Sequence, residues 1–220
     1  GEHPPPPLGR LILHRFFTRM LPQLIGMVHL LPLPGAPRFN GSMDEVIQRA
    51  VQDAMAIETG GFDGLMIENY GDVPFHRTVV GPETVSAMTR VALEVRRATS
   101  VPIGINVLRN DPIAAIGIAA VVGASFVRVN VHVGAVVADQ GIIEGDARAT
   151  LGARTRLGAD VAILADAHVK HAQPVAPRSI EEEAADIIER GCADGVIVSG
   201  MRTGAPCDVN ALRAVRNTID

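Results

Sequence analysis

Residues 161–170 read V-A-I-L-A-D-A-H-V-K, an apolar stretch that becomes ionisable at its carboxyl end. The stretch predicts a buried strand of a parallel sheet, because strands covered on both faces are nearly continuously apolar. Side chains alternate along a strand with period two, so we expect Asp166, His168 and Lys170 to point to one side. In parallel barrels, catalytic residues follow the carboxyl ends of such strands. The stretch therefore predicts both the fold class and the place of the chemistry.

The composition excludes several classes of protein. The chain has 220 residues and is 47% hydrophobic, enough for one sizeable core. Lys and Arg number 20 against 24 Asp and Glu, and the basic residues are scattered, so nucleic acid is not an expected partner. No apolar run approaches the roughly 20 residues that span a bilayer. We therefore expect one domain that does not span a membrane and that binds a small, anionic molecule.

The two cysteines, Cys192 and Cys207, form neither a CxxC pair nor a metal-ligand spacing. Their pattern argues against a disulfide framework and fits a reducing compartment. Cys192 is expected to be a small buried residue. We therefore expect a cytoplasmic protein.

Residues 1–23 differ from the rest of the chain. Four consecutive prolines at positions 4–7 precede a stretch that mixes Leu, Ile and Phe with Arg10, Arg15 and Arg19. Such a segment fits an organelle-targeting presequence, a remnant of cloning or an ordered arm. A presequence would make the location mitochondrial, although Glu2 and the prolines count against it. We therefore expect an arm over 1–23 and one barrel domain over 24–220.

One pattern repeats from residue 24 onward, a short apolar strand followed by a loop and an amphipathic helix. The predicted strands are 24–30, 64–69, 102–108, 126–133, 161–169 and 195–199. The predicted helices are 43–59, 82–99, 111–122, 144–157, 179–190 and 208–218. Glycine recurs where a helix ends and a strand begins, as at Gly123 and Gly158, which indicates short left-handed helix caps. The sequence therefore predicts about six βα units.

Two α/β architectures fit such an array, an open doubly wound sheet and a TIM (β/α)8 barrel. The first strand is not followed by a G-x-G-x-x-G motif, which argues against the nucleotide-binding open sheet, so we predict the barrel. A closed barrel needs about eight units, so we expect the last quarter to be absent from this sequence, because the natural protein continues or is a shortened form, unless the count misses strands. Two open sheet edges would then favour a homo-oligomer.

Polar residues follow the predicted strands, while the strand starts are apolar. The candidate site residues at these ends are His29, Glu68, Asn69, Asn106, Arg109, Asn130, Asp166, His168 and Lys170, with Gly200 and Gly204 in the last loop. Each has a structural alternative, such as a buried ion pair between Arg128 and Glu68. Because five successive strands end polar on one face, we favour a binding or catalytic site over unrelated structural pairs.

Three glutamates, Glu181, Glu182 and Glu183, follow Ser179 at the start of the fifth predicted helix. Negative charge is favourable in the first turn of a helix, and the third glutamate can close a capping box with Ser179. We therefore expect a solvated helix start with no part in the site.

Six segments together resemble one known family. They are I-G-M-V-H-L-L-P-L-P-G-A-P (25–37), G-F-D-G-L-M-I-E-N-Y-G-D-V-P-F (61–75), G-I-N-V-L-R-N-D (104–111), F-V-R-V-N-V (126–131), D-Q-G-I-I-E-G (139–145) and L-A-D-A-H-V-K-H (164–171). They are similar to the BtpA/SgcQ family from about residue 24 to the C-terminus. The resemblance implies a ribulose-phosphate-binding type of TIM barrel and, through a cyanobacterial member, a link to photosystem I biogenesis. It also implies two further βα units, where this barrel type usually keeps a glycine-rich phosphate cradle.

The residue types suggest roles within the site. We expect Asp166 and His168 to transfer protons, because an imidazole beside a carboxylate titrates near neutral pH, with Glu68 as a second carboxylate. Ligand binding is expected of the neighbouring polar residues His29, Asn69, Asn106, Arg109 and Asn130. Lys170 would form a Schiff base in a dry barrel or clamp an anion at the rim, and its position favours the clamp.

The last loop would offer backbone N–H groups of Gly200 and Gly204 to an anion, with a helix opening at Asp208. No cofactor is predicted, and no local motif indicates a metal site. His29, Glu68, Asp166 and His168 would nevertheless suit a divalent metal if they converged, since nitrogen and oxygen ligands from separate strands often do so.

Three functions fit these observations. The first is an enzyme that acts on a phosphosugar-like or nucleoside-like substrate as a lyase, isomerase or hydrolase. The second is an assembly or stabilising factor that uses the barrel as a binding surface, in line with photosystem I biogenesis. The third is a catalytically silent, shortened paralogue.

Overall fold

A computed structural model describes residues 21–200 and 202–219, and in this part of the chain helices and parallel strands alternate. The strands are β1 (Ile25–His29), β2 (Gly64–Glu68), β3 (Ile103–Asn106), β4 (Phe126–Val129), β5 (Ala135–Ala138), β6 (Gly141–Glu144), β7 (Ala162–Ala167), β8 (Ala172–Pro174) and β9 (Gly195–Val198). The helices are α1 (Met43–Thr59), α2 (Pro82–Ala98), α3 (Pro112–Val122), α4 (Ala147–Leu157), α5 (Ile180–Ala185) and α6 (Val209–Ile219). A 3₁₀ turn covers Tyr70–Asp72, and a π-helical turn, Asp186–Arg190, continues α5.

The main sheet confirms the prediction of an α/β protein with six βα units. Its strands are all parallel and lie in the order β1-β2-β3-β4-β7-β9. Within the described residues, β1 and β9 each pair with a single neighbour, so this part of the barrel is open. The predicted homo-oligomer stays a prediction.

Strands β2, β3 and β7 are buried on both faces, which explains their apolar sequences, whereas β1 and β9 at the ends of the sheet are only partly buried. One face packs against the helices and supplies the main core, with Val28, Ile67, Ile105, Val127 and Ile163 among its members. The alternate residues point into the barrel and form a smaller cluster of Met66, Phe126, Ala162 and Leu164. Strand alternation therefore separates a helix-facing layer from an interior layer, and the interior layer leads up to the polar strand ends.

Capping residues set the helix ends where the sequence predicts them. The side chain of Asp111 accepts a hydrogen bond from the Ala114 N–H at 2.9 Å and so begins α3. Gly123 and Gly158 close α3 and α4 in the left-handed region with φ of 68° and 58°, as the glycine pattern predicts. After α5, by contrast, Cys192 takes the positive φ, 50°, and is exposed. The expectation of a buried Cys192 is wrong.

Two expectations about the start of α5 are also wrong. Glu182, the second glutamate, closes the capping box with Ser179. Glu183 is buried and not solvated. Its carboxylate accepts a hydrogen bond from the backbone N–H of His168 at 3.2 Å. The helix start therefore contacts the segment that follows β7.

A second, antiparallel sheet has the order β6-β5-β8 and differs from the sequence prediction, which places no strand between residues 133 and 144 or between residues 169 and 179. The hairpin of β5 and β6 follows β4, and β8 follows β7, so the small sheet lies on the segments that leave the carboxyl ends of two parallel strands. Val131, Val136, Ile143 and Val169 form its own apolar cluster. The small sheet therefore extends one wall of the barrel beyond the parallel strands.

Residues 21–23 contact the barrel domain. Leu21 packs against the interior cluster, and the N–H groups of Gln23 and Leu24 donate to the Asp63 carboxylate at 2.9 and 2.6 Å. The rest of the expected arm, residues 1–20, lies outside the described residues, and the domain boundary at residue 24 stays a prediction. Across 21–200 and 202–219, every helix is too short or too polar to cross a membrane.

Gly104 provides a test of interior packing. A Cβ at Gly104 would collide with the ring of Phe126, which is fully buried. We expect Gly104→Ala to lower the free energy of unfolding by about 1–3 kcal/mol in urea denaturation, as overpacking does. Gly117→Ala is the matched control, because a Cβ there meets no atom within 4 Å on α3. The control should raise stability by about 0.5–1 kcal/mol, and equal effects of both substitutions would contradict the packing argument.

Candidate active site

A cavity of about 810 Å³, which we call the mouth cavity, opens at the carboxyl ends of the parallel strands. The register places His29 of β1 beside Glu68 of β2, and Glu68 beside Asn106 of β3. Of the predicted site residues, the ones that line the mouth cavity are His29, Glu68, Arg109, Asn130, Lys170 and Gly204. The strand ends therefore converge as the sequence predicts, and the remaining five residues lie behind or beside this cavity.

Asp166 lies behind the cavity wall in a buried ion pair with Arg128. Its carboxylate accepts two hydrogen bonds from Arg128 Nε at 3.2 Å and one from Nη2 at 3.0 Å. Asn130 Nδ2 donates a further hydrogen bond to Oδ2 at 2.8 Å. Charge-assisted hydrogen bonds of this kind are stronger than neutral ones and hold the Asp166 carboxylate in one position. Asp166 thus holds Arg128 and Asn130 in place, and its catalytic role stays a prediction.

Asn106 extends this network to the third strand. Its Nδ2 donates to Asn130 Oδ1 at 3.0 Å and to the Arg128 carbonyl oxygen at 3.1 Å. Asn106 is almost fully buried, and its Oδ1 finds no hydrogen-bond donor among the described residues. Asn106 therefore orients Asn130, which itself reaches the cavity.

Glu68 is the carboxylate that lacks such partners. Oε2 is buried and accepts no hydrogen bond from any described residue, with Arg128 Nη1 at 3.7 Å. Oε1 lies 3.9 Å from His29 Nε2. Burial raises the pKa of Glu68 above its ordinary value of 4.5, although the charges of Arg128 and His29 partly oppose the rise. A carboxyl group with a raised pKa beside a cavity suits proton transfer near neutral pH.

His29 stands at the edge of the cavity. Its side chain is 40% exposed and stacks on the ring of Tyr70, with centroids 4.4 Å apart and planes 21° from parallel. The stack gives the imidazole an apolar support while one edge faces Glu68. His29 can therefore approach a ligand and influence Glu68 at the same time.

Two cationic side chains, Arg109 and Lys170, also line the mouth cavity. Arg109 is buried, and its Nη2 donates to the backbone oxygen of Lys170 at 2.7 Å. Burial lowers the pKa of Arg109, which nevertheless stays charged because guanidinium ordinarily loses its proton only at very high pH. Lys170 has no carboxylate within 4.0 Å among the described residues. The two side chains therefore offer positive charge to an anionic ligand.

Asn69 holds the loop after β3 and does not line the cavity. Its Oδ1 accepts from the Leu108 N–H at 2.7 Å, and its Nδ2 donates to Asp72 at 3.0 Å. Asp72 in turn accepts from the Leu33 N–H at 2.8 Å. Asn69 therefore positions the segment that carries Arg109, and direct ligand binding by Asn69 stays a prediction.

His168 does not lie where strand alternation predicts. β7 ends at Ala167, and His168 has a φ of 49°, which turns its side chain out of the strand pattern. Its Nε2 lies 3.7 Å from Glu183 Oε2 on α5, whereas the partners of Asp166 are Arg128 and Asn130. The expectation that His168 pairs with Asp166 is wrong. The prediction assumed an extended backbone through residue 169, whereas the strand ends at Ala167 and His168 is already in the left-handed region.

The last loop approaches the cavity through Gly204, which has a φ of 79°. Gly200 lies against the backbone of Ala205 and Pro206 and does not line the cavity. At the start of α6, the Asp208 carboxylate accepts from the Asn210 N–H at 2.8 Å. A carboxylate therefore already occupies this helix start, which leaves little favourable field there for an anion.

The expected metal ligands do not converge. Across residues 21–200 and 202–219, no three His, Cys, Asp or Glu side chains are arranged to hold a metal ion. His29 and Glu68 face the mouth cavity, whereas His168 faces Glu183. The expectation that the protein has no metal cofactor stays a prediction.

Several polar residues that line the mouth cavity are not among the predicted site residues. These are Tyr70, Arg128, Asp139, His171, Ser199 and Thr203. Period two from Asn130 already points Arg128 to the interior, so that signal was available. Asp139 lies on the turn between β5 and β6, which only the unpredicted small sheet brings to the cavity.

The sequence comparison decides the family. The model of the BtpA family matches residues 20–220. The chain belongs to the BtpA family. The recognition from sequence motifs is therefore confirmed, and the polar strand ends belong to a BtpA barrel.

Three relatives illustrate the range of the family. An uncharacterised protein of Pyrococcus horikoshii is 53% identical over 86% of this chain and 72% of its own length. The photosystem I biogenesis protein BtpA of Synechocystis is 48% identical over 88% of this chain and 68% of its own length. The sgc region protein SgcQ of Escherichia coli is 33% identical over 89% of this chain and 73% of its own length. This BtpA chain thus spans about two thirds to three quarters of these relatives.

Solved structures confirm the fold class. The 7,8-dihydropteroate synthase of Vibrio fischeri superimposes with a TM-score of 0.57 at 15% identity, over 94% of this chain and 71% of that one. The N-acetylmannosamine-6-phosphate 2-epimerase of Clostridium perfringens superimposes with a TM-score of 0.51 at 13% identity, over 90% of this chain and 74% of that one. Both are TIM-barrel enzymes, and at these identities the likeness concerns the fold alone.

The buried ion pair gives a prediction for stability. Asp166→Asn removes the negative charge that balances Arg128, so we expect the free energy of unfolding to fall by about 3–5 kcal/mol. The matched control is Asp53→Asn, which breaks the more exposed pair of Asp53 with Arg49 at 2.9 Å. The control should cost less than about 1 kcal/mol. Urea denaturation of both variants measures the two losses of unfolding free energy. Similar losses would show that burial does not increase the cost of breaking the ion pair.

The raised pKa of Glu68 predicts a pH dependence. Between the ordinary value of 4.5 and the higher pKa in the folded protein, the native state binds more protons than the unfolded chain. The contribution of Glu68 to stability is therefore complete below 4.5 and is lost as the pH rises through the folded pKa. Denaturation at a series of pH values should show wild type losing stability relative to Glu68→Gln as the pH rises. A gain relative to Glu68→Gln would mean that the pKa is lowered.

Proposed function

We propose that this BtpA barrel is an enzyme of small-molecule metabolism that acts on a phosphosugar-like or nucleoside-like substrate by acid–base chemistry. The observation that carries the proposal is the buried Glu68 carboxylate, whose Oε2 has no hydrogen-bond donor among the described residues. A buried polar atom without a partner is costly to the fold, and such costs are commonly met at functional sites. Glu68 lines the cavity, so a substrate can supply the missing partner.

Proton transfer is the chemistry that Glu68 can supply. Its raised pKa keeps a proton available at higher pH than an ordinary glutamate does, so it can act as a general acid or, once ionised, as a base. Both oxygens of Asp166 have donors within the fold, so Glu68 is the carboxylate with an oxygen left for a ligand to bind. Lyase, isomerase and hydrolase reactions all need such a group, and the site supports this class of chemistry without selecting one reaction.

The ligand is anionic in this proposal. Arg109 and Lys170 line the cavity, and Lys170 has no carboxylate within 4.0 Å in the described part of the chain. Asn130 and the hydroxyl group of Ser199, which is buried and without a hydrogen bond among described residues, suit the hydroxyl groups of a sugar. Charge and polarity together favour a phosphosugar or nucleotide over an apolar molecule.

A second candidate function is a non-catalytic assembly factor that binds another protein through the barrel. The observation in its favour is the name of the Synechocystis relative, which links that protein to photosystem I biogenesis. The alternative does not explain why Glu68 is buried without a hydrogen-bond donor, so we favour the enzyme.

The enzyme proposal is tested with a panel of phosphorylated metabolites, using thermal shift for binding and ³¹P NMR for turnover. We expect at least one compound to stabilise wild type and to be converted. Glu68→Gln should keep binding while turnover falls by about 10²- to 10⁴-fold, as expected for a general acid or base. Lys170→Gln should weaken binding by about ten-fold or more, since a charge-assisted hydrogen bond is lost. Arg190→Gln, at a side chain that is 82% exposed, is the control and should change neither.

Two results would overturn the proposal. If Glu68→Gln converted the substrate at the wild-type rate, Glu68 would take no part in the chemistry. If no compound bound and one protein partner was retained equally by wild type and Glu68→Gln, the assembly factor would be the better conclusion.

A further inference from the structure

A second cavity, which we call the annex, lies beside the mouth cavity and also has a volume of about 810 Å³. Strands β5 and β8 of the small sheet and the segment 168–178 build its walls. The annex therefore lies outside the parallel strands, against the segment that follows β7.

Lys170 and His171 line both cavities. His171 Nε2 also lies 3.1 Å from Thr203 Oγ1, and Thr203 lines the mouth cavity. The two cavities are thus neighbours that share these two side chains as a wall. A ligand too long for one cavity would pass Lys170 and His171.

The available positive charge is concentrated at this shared wall. Arg178 lines the annex, but its charge is matched by Asp186 at 2.8 Å and Glu183 at 3.9 Å. Lys170 has no carboxylate within 4.0 Å among residues 21–200 and 202–219, and no described residue that lines the annex is acidic. The best place for an anionic group is therefore the boundary, and not the far end of the annex.

The rest of the annex is largely apolar. Six of its lining residues are Val137, Ala138, Val169, Ala172, Pro174 and Pro177. Apolar walls around a few polar groups suit an organic moiety, whereas a bare ion would gain little from them. The annex thus fits a second organic part of a ligand whose anionic group lies at Lys170.

The segment that divides the cavities is held in an unusual conformation. His168 and His171 have φ of 49° and 61°, in the left-handed region that non-glycine residues seldom adopt. The buried Glu183 holds His168 at two points. Oε1 accepts a hydrogen bond from the His168 backbone N–H at 3.2 Å, and Oε2 lies 3.7 Å from His168 Nε2. Backbone strain that the surroundings maintain is typical of binding sites.

We propose that the ligand of this barrel has two organic parts joined through a phosphoryl group. The reacting part lies at Glu68 in the mouth cavity, the phosphoryl group lies at Lys170 and His171, and the second part occupies the annex. This inference rests on the proposed function, because it takes the mouth cavity as the reactive end.

The test uses isothermal titration calorimetry with three nested probes: inorganic phosphate, ribose 5-phosphate and ADP-ribose. ADP-ribose contains two ribosyl parts joined by a diphosphate, so it can reach both cavities. We expect wild type to bind ADP-ribose about ten-fold or more tightly than ribose 5-phosphate, and phosphate most weakly. Lys170→Gln should weaken the binding of both ribose 5-phosphate and ADP-ribose.

Filling the annex is the decisive step. Ala172→Phe places a ring in the annex and should remove the advantage of ADP-ribose while leaving ribose 5-phosphate within about two-fold of wild type. Ala138→Phe, opposite Ala172 in the small sheet, repeats the test if Ala172→Phe does not fold. Ala135→Phe is the matched control, because Ala135 lies in the same strand as Ala138 but lines neither cavity.

The outcomes separate the two proposals. Equal binding of ADP-ribose and ribose 5-phosphate by wild type, or an equal loss of both in Ala172→Phe, would overturn the two-part ligand alone. A failure of all three probes to bind would count against the phosphosugar-like or nucleoside-like substrate as well.

Discussion

The site depends on where Arg128 places its charge. Its guanidinium lies in the barrel interior, donates to both oxygens of Asp166 and leaves Nη1 3.7 Å from Glu68. Without this cation, two buried carboxylates would repel each other across the interior. With it, one carboxylate is saturated with donors and the other is not. The two acidic groups therefore differ in how much hydrogen bonding the fold leaves for a ligand to supply.

The parallel sheet converts this local arrangement into a cavity. Because β1, β2 and β3 are in register, His29, Glu68 and Asn106 end at the same level. The layer beneath is apolar, with Met66, Phe126 and Leu164 in the interior. An apolar layer beneath the carboxylates lowers the effective dielectric constant there, which strengthens the electrostatic interactions at the strand ends.

Much of the fold follows from local sequence signals, whereas the site depends on partners far apart in the chain. Apolar runs and glycine turns predicted all six parallel strands. Nothing local distinguishes Asp166 from Glu68, since both end apolar strands; their difference comes from Arg128 and Asn130 on β4. Alternation also failed at His168, because it assumes an extended backbone beyond Ala167. Strand β8 was missed because it pairs with β5 across more than thirty residues of intervening chain, whereas β5 and β6 form a local hairpin whose strands were not predicted.

The small sheet has a consequence for how such proteins diversify. It stands on loops, while Glu68, Arg128 and Asp166 stand on the parallel strands. Loops accept insertions and substitutions at little cost, and buried interior residues do not. The residues of the second cavity can therefore change among related barrels while the carboxylates and their shared arginine stay in place. Selectivity for a ligand and the chemistry performed on it would then evolve on separate parts of the same chain.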